Sequence, residues 1–176
     1  YDLKVHVGVA EIRLQNQLYA LQTGNVGDIT EWIEFEDGTT LSLINNLVLE
    51  DVSGNGSITG TVNDDILFGG AGNDSMDGGA GDDTYLYNIG DGNDFINGST
   101  GVDKILFGAG ITAADVRLER YQSYDLKVHV GGAEIRLQNQ FYNMITGNVG
   151  EITEFAEFDD GTTLDLLNNL TLEDSS

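Results

Sequence analysis

Between residues 51 and 106 the apolar and polar positions recur every nine residues. The chain reads DVSGNGSIT (51–59), GTVNDDILF (60–68), GGAGNDSMD (69–77) and GGAGDDTYL (78–86). Tyr87 and Asn88 then interrupt the frame, which resumes as IGDGNDFIN (89–97) and GSTGVDKIL (98–106). The eighth position is always apolar: Ile58, Leu67, Met76, Tyr85, Ile96 and Ile105. The sixth is aspartate in five units, at Asp65, Asp74, Asp83, Asp94 and Asp103, and glycine dominates the first, second and fourth. Six turn-forming residues followed by three with an apolar centre predict one short strand per unit. A strand that short cannot bury its apolar residue alone, so the units must stack and share a thin core.

Outside this segment the period shortens to two. Runs at 116–120, 124–130 and 133–139 alternate apolar and polar residues, and the Gly131-Gly132 pair between the last two suits a hairpin. A fourth run, 152–158, meets a second hairpin signal at Asp160-Gly161 before 162–166, and 112–115 reads as one helical turn. These runs predict a small antiparallel β unit packed on the end of the stacked segment. Residues 1–51 return as 124–174 with 39 identities. The chain is thus about one and a half copies of a longer unit, and we expect a piece of a tandem array. Three segments follow: 1–50, 51–106 and 107–176. The first copy lacks a counterpart of 116–120 and is expected to present a free sheet edge. The fold class is all-β.

Charge narrows the chemistry. Seven Lys and Arg oppose 30 Asp and Glu, a formal charge of −23. Such a chain repels phosphate backbones and anionic lipid, so neither nucleic acid nor a membrane surface is an expected partner; cations are. With 40% apolar residues it is no simple disordered tail, and with no cysteine it forms neither disulfides nor thiolate metal sites. No apolar run is long enough for a transmembrane helix, and no signal-peptide pattern is found, so no membrane insertion is expected. The 24 glycines without a single proline indicate many turns of one type. If successive strands alternate between two sheets, turns two units apart lie above one another and their aspartates converge. A hard cation with six to eight oxygen ligands relieves that repulsion, and calcium suits it better than magnesium.

GGAGNDSMD and GGAGDDTYL fit GGxGxDxUx, so the segment resembles the repeats-in-toxin (RTX) family of haemolysin-type calcium-binding proteins. The resemblance implies a right-handed parallel β-roll holding calcium between turns two units apart. By position, Asp65 would face Asp83, Asp83 would face Asp103, and Asp74 would face Asp94. Carbonyls of Gly69, Gly70, Gly72, Gly78, Gly79 and Gly81 would complete the shells, with Asn73 and Asp82 assisting, for about three calcium ions. Gly56 stands where the first unit would carry aspartate, so a site pairing it with Asp74 should be weak or absent. Asn63 replaces a glycine, and Tyr87 and Asn88 stretch the aspartate spacing from 18 to 20. FGAGITAADVRLER followed by EFAEFDDGTTLDL also resembles the module that often follows such units in haemolysin-type proteins.

Other chemistry is thin. His6 and His129, both in KVHVG, read as ordinary strand residues, and neither HExxH, GxSxG nor a phosphate loop occurs. Trp32, Tyr1, Tyr19 and Tyr121 read as buried core or module interface in preference to a sugar platform. No enzyme is expected. The expected function is a calcium-dependent structural repeat of a large protein secreted by a Gram-negative bacterium, adhesin-like or of surface-layer type, whose partners are calcium and neighbouring repeats of the same chain. The alternatives are the accessory tail of a secreted enzyme and a glycan-binding module.

Overall fold

A computed structural model describes residues 3–7, 10–14, 32–42, 47–51, 54–97, 100–147 and 153–167. Each nine-residue unit contributes one strand that begins at or just after the sixth position. These are β6 (Ser57–Thr61), β7 (Asp65–Phe68), β8 (Ser75–Gly79), β9 (Thr84–Tyr87), β10 (Asp94–Asn97) and β11 (Asp103–Phe107). Neighbours in sequence fall in different sheets, and every strand pairs in parallel with the strand two units away. Thus Ile66 lies opposite Thr84, and Thr84 opposite Lys104. Of the two extra residues, Tyr87 ends β9, buried and paired opposite Phe107, and Asn88 opens the loop before β10, where its N–H and Nδ2 donate to Asp91 Oδ2 at 2.6 and 3.3 Å. The register steps from 18 to 20 residues in both sheets, and pairing continues.

The six eighth-position residues form the core, each 7% exposed or less. Burial alternates along β7, β9 and β10, as a strand with one face against a partner sheet requires. Fully burying an aliphatic or aromatic side chain is worth about 1.5–3 kcal/mol, so no single unit can be stable alone and the stack must form together.

The two six-stranded sheets extend past the nine-residue units. One runs from β12 (Val116–Tyr121) through β13 (Asp125–Val130) and β14 (Ala133–Leu137) to β10, β8 and β6. The other runs from β16 (Thr163–Asp165) through β15 (Thr153–Glu157) to β11, β9, β7 and β5 (Leu47–Glu50). The flanking strands therefore do more than pack on the end of the roll: β14 and β15 join its sheets in parallel, and the antiparallel pairing expected from the hairpin signals lies one strand further out. Ile135 and Leu137 continue the inward-facing rows, and Phe158 stacks on Phe107 with centroids 5.3 Å apart. At the other end, β5 sets Leu47 opposite Asp65 and Leu49 opposite Leu67, one coil before the recognisable units.

Two further hairpins belong to the first copy: β1 (Leu3–Val7) with β2 (Ala10–Leu14), and β3 (Trp32–Glu34) with β4 (Thr40–Ser42). The expected helical turn is a 3-10 turn, Ala113–Asp115, with Thr112 Oγ1 and N–H donating to Asp115 Oδ2. The alternating run at 133–139 ends as a strand at Leu137 and gives way to a helix, α1 (Gln140–Thr146). Asn139 enters it in the left-handed region and Gly147 closes it at φ 77°.

Candidate metal centre

The five sixth-position aspartates are buried, each 3% exposed or less. They stand in two columns: Asp65, Asp83 and Asp103 at the starts of β7 and β11 and the turn before β9, and Asp74 with Asp94 in the opposite sheet. Within a column each carboxylate reaches back two units and accepts the N–H of the aspartate there. Asp83 Oδ1 accepts from Asp65 N–H at 2.9 Å, Asp103 Oδ1 from Asp83 at 2.9 Å, and Asp94 Oδ1 from Asp74 at 3.0 Å. These are the three facing pairs that the resemblance implies by position. Gly56, the unit without aspartate, still donates its N–H to Asp74 Oδ1 at 2.6 Å.

The fifth position carries a second ladder running the other way. Oδ1 of Asn55, Asp64, Asn73, Asp82 and Asn93 accepts the N–H of Asn73, Asp82, Asn93, Val102 and Glu134 respectively, at 2.8–3.0 Å. Asn73 and Asp82 thus join coils on the exposed edge, while the sixth position joins them inside. Asn55, Asp64 and Asn93 escaped the sequence reading, although the nine-residue frame shows a polar residue at the fifth position of five units. Glu154 also escaped it. Its Oε2 accepts Asp103 N–H at 2.6 Å, the place an aspartate takes lower in the column.

Glycine makes room for these carboxylates. A Cβ on Gly78 would lie 2.1 Å from Asp83 Oδ2, and one on Gly69 would lie 2.7 Å from Asp74 Oδ2. Gly70, Gly72, Gly79 and Gly81 all have positive φ, and the Gly79 carbonyl accepts Thr100 N–H at 3.1 Å. Where Thr61 replaces the second glycine, its N–H and hydroxyl both donate to Asp65 Oδ2 at 2.7 and 2.8 Å.

Burial pushes the carboxyl pKa values up. Asp94 is raised to about 6, chiefly by burial and then by the charges of Asp74 and Asp91, against the hydrogen bond from Asp74 N–H. Burial likewise raises Asp65 and Asp91, and lifts Glu154 to about 7. Asp65 Oδ1 and Asp74 Oδ2 are buried and accept no hydrogen bond. A buried carboxylate oxygen without a donor is costly unless a cation meets it. Among the described residues no three Asp, Glu or His side chains converge. A cation here therefore has to complete its shell with backbone carbonyls, which an all-oxygen, glycine-lined turn can offer a hard ion. On these grounds the residues fit calcium.

His129 is an ordinary strand residue, its Nε2 2.9 Å from Glu119 Oε2 on the neighbouring strand. Tyr121 lies half-buried beneath Lys127 and Arg136. The side chains of His6, Tyr1, Tyr19 and Trp32 fall outside the described residues. Among the described residues no helix is long and apolar enough to cross a membrane. Residues 52–85 and 90–111 match the family model of the RTX calcium-binding nonapeptide repeat, in four copies. No curated protein matches the chain.

Proposed function

Taking as premise that this is an RTX-type repeat protein whose central segment is a calcium-binding repeat module, we propose that calcium is its folding switch and that the module is a structural unit of a secreted bacterial array. The observation that carries this reading is the pair of buried carboxylate columns with oxygens that accept no hydrogen bond. Asp83 serves two sites, one with Asp65 and one with Asp103, and Asp74 with Asp94 makes a third. Bound there, calcium supplies positive charge between coils that otherwise repel. Each ion offsets two of the chain's net negative charges, and at 100 times its dissociation constant each independent site adds about 2.7 kcal/mol. Extracellular modules often bind calcium with dissociation constants on the order of 10⁻⁴–10⁻³ M, so such a chain stays loose in calcium-poor cytoplasm and tightens outside.

The return of 1–51 as 124–174, with 39 identities, favours a repetitive adhesin or surface-layer protein over an enzyme tail. Far-UV circular dichroism of chelator-stripped protein, titrated with calcium and in parallel with magnesium, tests the switch. A cooperative gain of β signal in calcium alone is expected. A chelated protein already fully folded, and unmoved by calcium, would overturn it.

A further inference from the structure

The two copies of the flanking sequence fold alike locally but differ in what covers them. Leu3 pairs with Leu14 as Leu126 pairs with Leu137, and Ile33 pairs with Leu41 as Ala156 pairs with Leu164. The turns agree too: Phe35 N–H donates to Thr39 carbonyl at 2.8 Å, and Phe158 N–H to Thr162 carbonyl at 2.9 Å. In the second copy, β14 and β15 continue the roll by pairing with β10 and β11. In the first copy, β2 and β3 have no strand on the corresponding edge among the described residues. Burial follows. Phe158 is 2% exposed and its counterpart Phe35 is 40% exposed; Leu164 is half-buried and Leu41 is 42% exposed.

We propose that the edges of β2 and β3 are a docking surface for the last coil of a nine-residue-repeat roll placed before them, paired in parallel as β14 and β15 pair with β10 and β11. The occupant is a roll of this same kind, and the inference rests on the reading of the protein as a repeat array. The chain itself shows what such a roll does to this sequence: it covers the second copy and buries Phe158. The same upstream unit brings the counterpart of β12 to the outer edge of β1. Since β5 immediately opens the next roll, each flanking unit closes one roll and starts another, and consecutive rolls are continuous through it. One position differs in size. Ile33 stands where fully buried Ala156 lies opposite Ile105, so the natural occupant has a smaller side chain there than Ile105.

The test extends the full chain by a second copy of residues 52–123 ahead of residue 1, once unchanged and once with Ile33→Ala. Amide hydrogen exchange is followed in calcium. Docking predicts that exchange at β2 and β3 slows at least roughly 100-fold relative to the unextended chain, more so with Ile33→Ala, as expected when an open edge becomes paired. Protected roll amides with β2 and β3 exchanging as before, in both extended proteins, overturn docking alone. Roll amides left unprotected in calcium overturn the calcium reading and docking with it.

Discussion

The two aspartate columns are built from one nine-residue unit and end differently. The first runs through Asp65, Asp83 and Asp103 and is closed by Glu154, whose carboxylate takes the last aspartate N–H. The second runs through Asp74 and Asp94 and meets Ile135, an apolar residue paired opposite Asp94. The period thus accounts for a column's interior, but its end is written by the flanking unit, which supplies a charged acceptor to one column and a hydrophobic plug to the other. A repeat needs such ends, because its outermost coil has neighbours on one side only.

The sharpest way to break the comparison is at the carboxylates. Asp83→Asn removes a ligand of two proposed sites and Asp94→Asn of one. Asp83→Asn should therefore lose about twice the calcium-dependent stability, each site being worth about 2.7 kcal/mol at 100 times its dissociation constant. Calorimetric stoichiometry and denaturant midpoints at fixed calcium would check this, and equal losses would contradict the column assignment. The backbone should not distinguish the columns. A Cβ on Gly92 would come 1.8 Å from the Gly72 carbonyl oxygen beside the short column, and one on Gly101 would come 1.9 Å from that of Gly81 beside the long one. Gly92→Ala and Gly101→Ala should each cost about 3 kcal/mol in calcium.

The column ends should respond differently. Glu154→Gln weakens a charge-assisted hydrogen bond and should cost about 1 kcal/mol. Ile135→Val removes one buried methyl for about 1 kcal/mol, and this loss, measured by equilibrium unfolding, should be the same at two calcium concentrations that both keep the protein folded. The pH effect is the smallest. In metal-free protein Asp94 and Glu154 titrate near 6 and 7, above their ordinary values, and Asp65 and Asp91 are raised too. The folded state therefore holds protons that the unfolded chain releases, and the stability these groups contribute is fully present below about pH 4 and is lost as pH rises through 6 to 7. Chelated protein should therefore show more β signal at pH 5 than at pH 8; the reverse order would mean that these carboxyls are not desolvated.

Much of this was legible because glycine and aspartate carry steric and electrostatic demands that act over a few residues. Ile58 through Ile105 form the core at the predicted positions, and aspartates two units apart converge as the period predicts. What the sequence did not reveal concerns partners distant along the chain. Alternation at 133–139 announces a strand without saying that it will lie parallel to β10. Glu154 stands outside the frame, brought to Asp103 by a break in the β11–β15 register between Asp103 and Lys104. The helix α1 follows a strand with no proline or aspartate cap to announce it; only Gly147 marks its end.

The parallel stacking also has a mechanical meaning. A full turn of the roll, 18 residues from Ile66 to Thr84, advances the stack by one strand spacing, about 4.8 Å. Drawn out straight, those residues span about 60 Å. Tension along the stack pulls each strand sideways off its neighbour, so turns let go one after another. Each release pays out roughly ten times the length the turn occupied. Calcium bound between adjacent turns, as proposed, would set the load at which the first one yields, so ambient calcium would tune the stiffness of the roll.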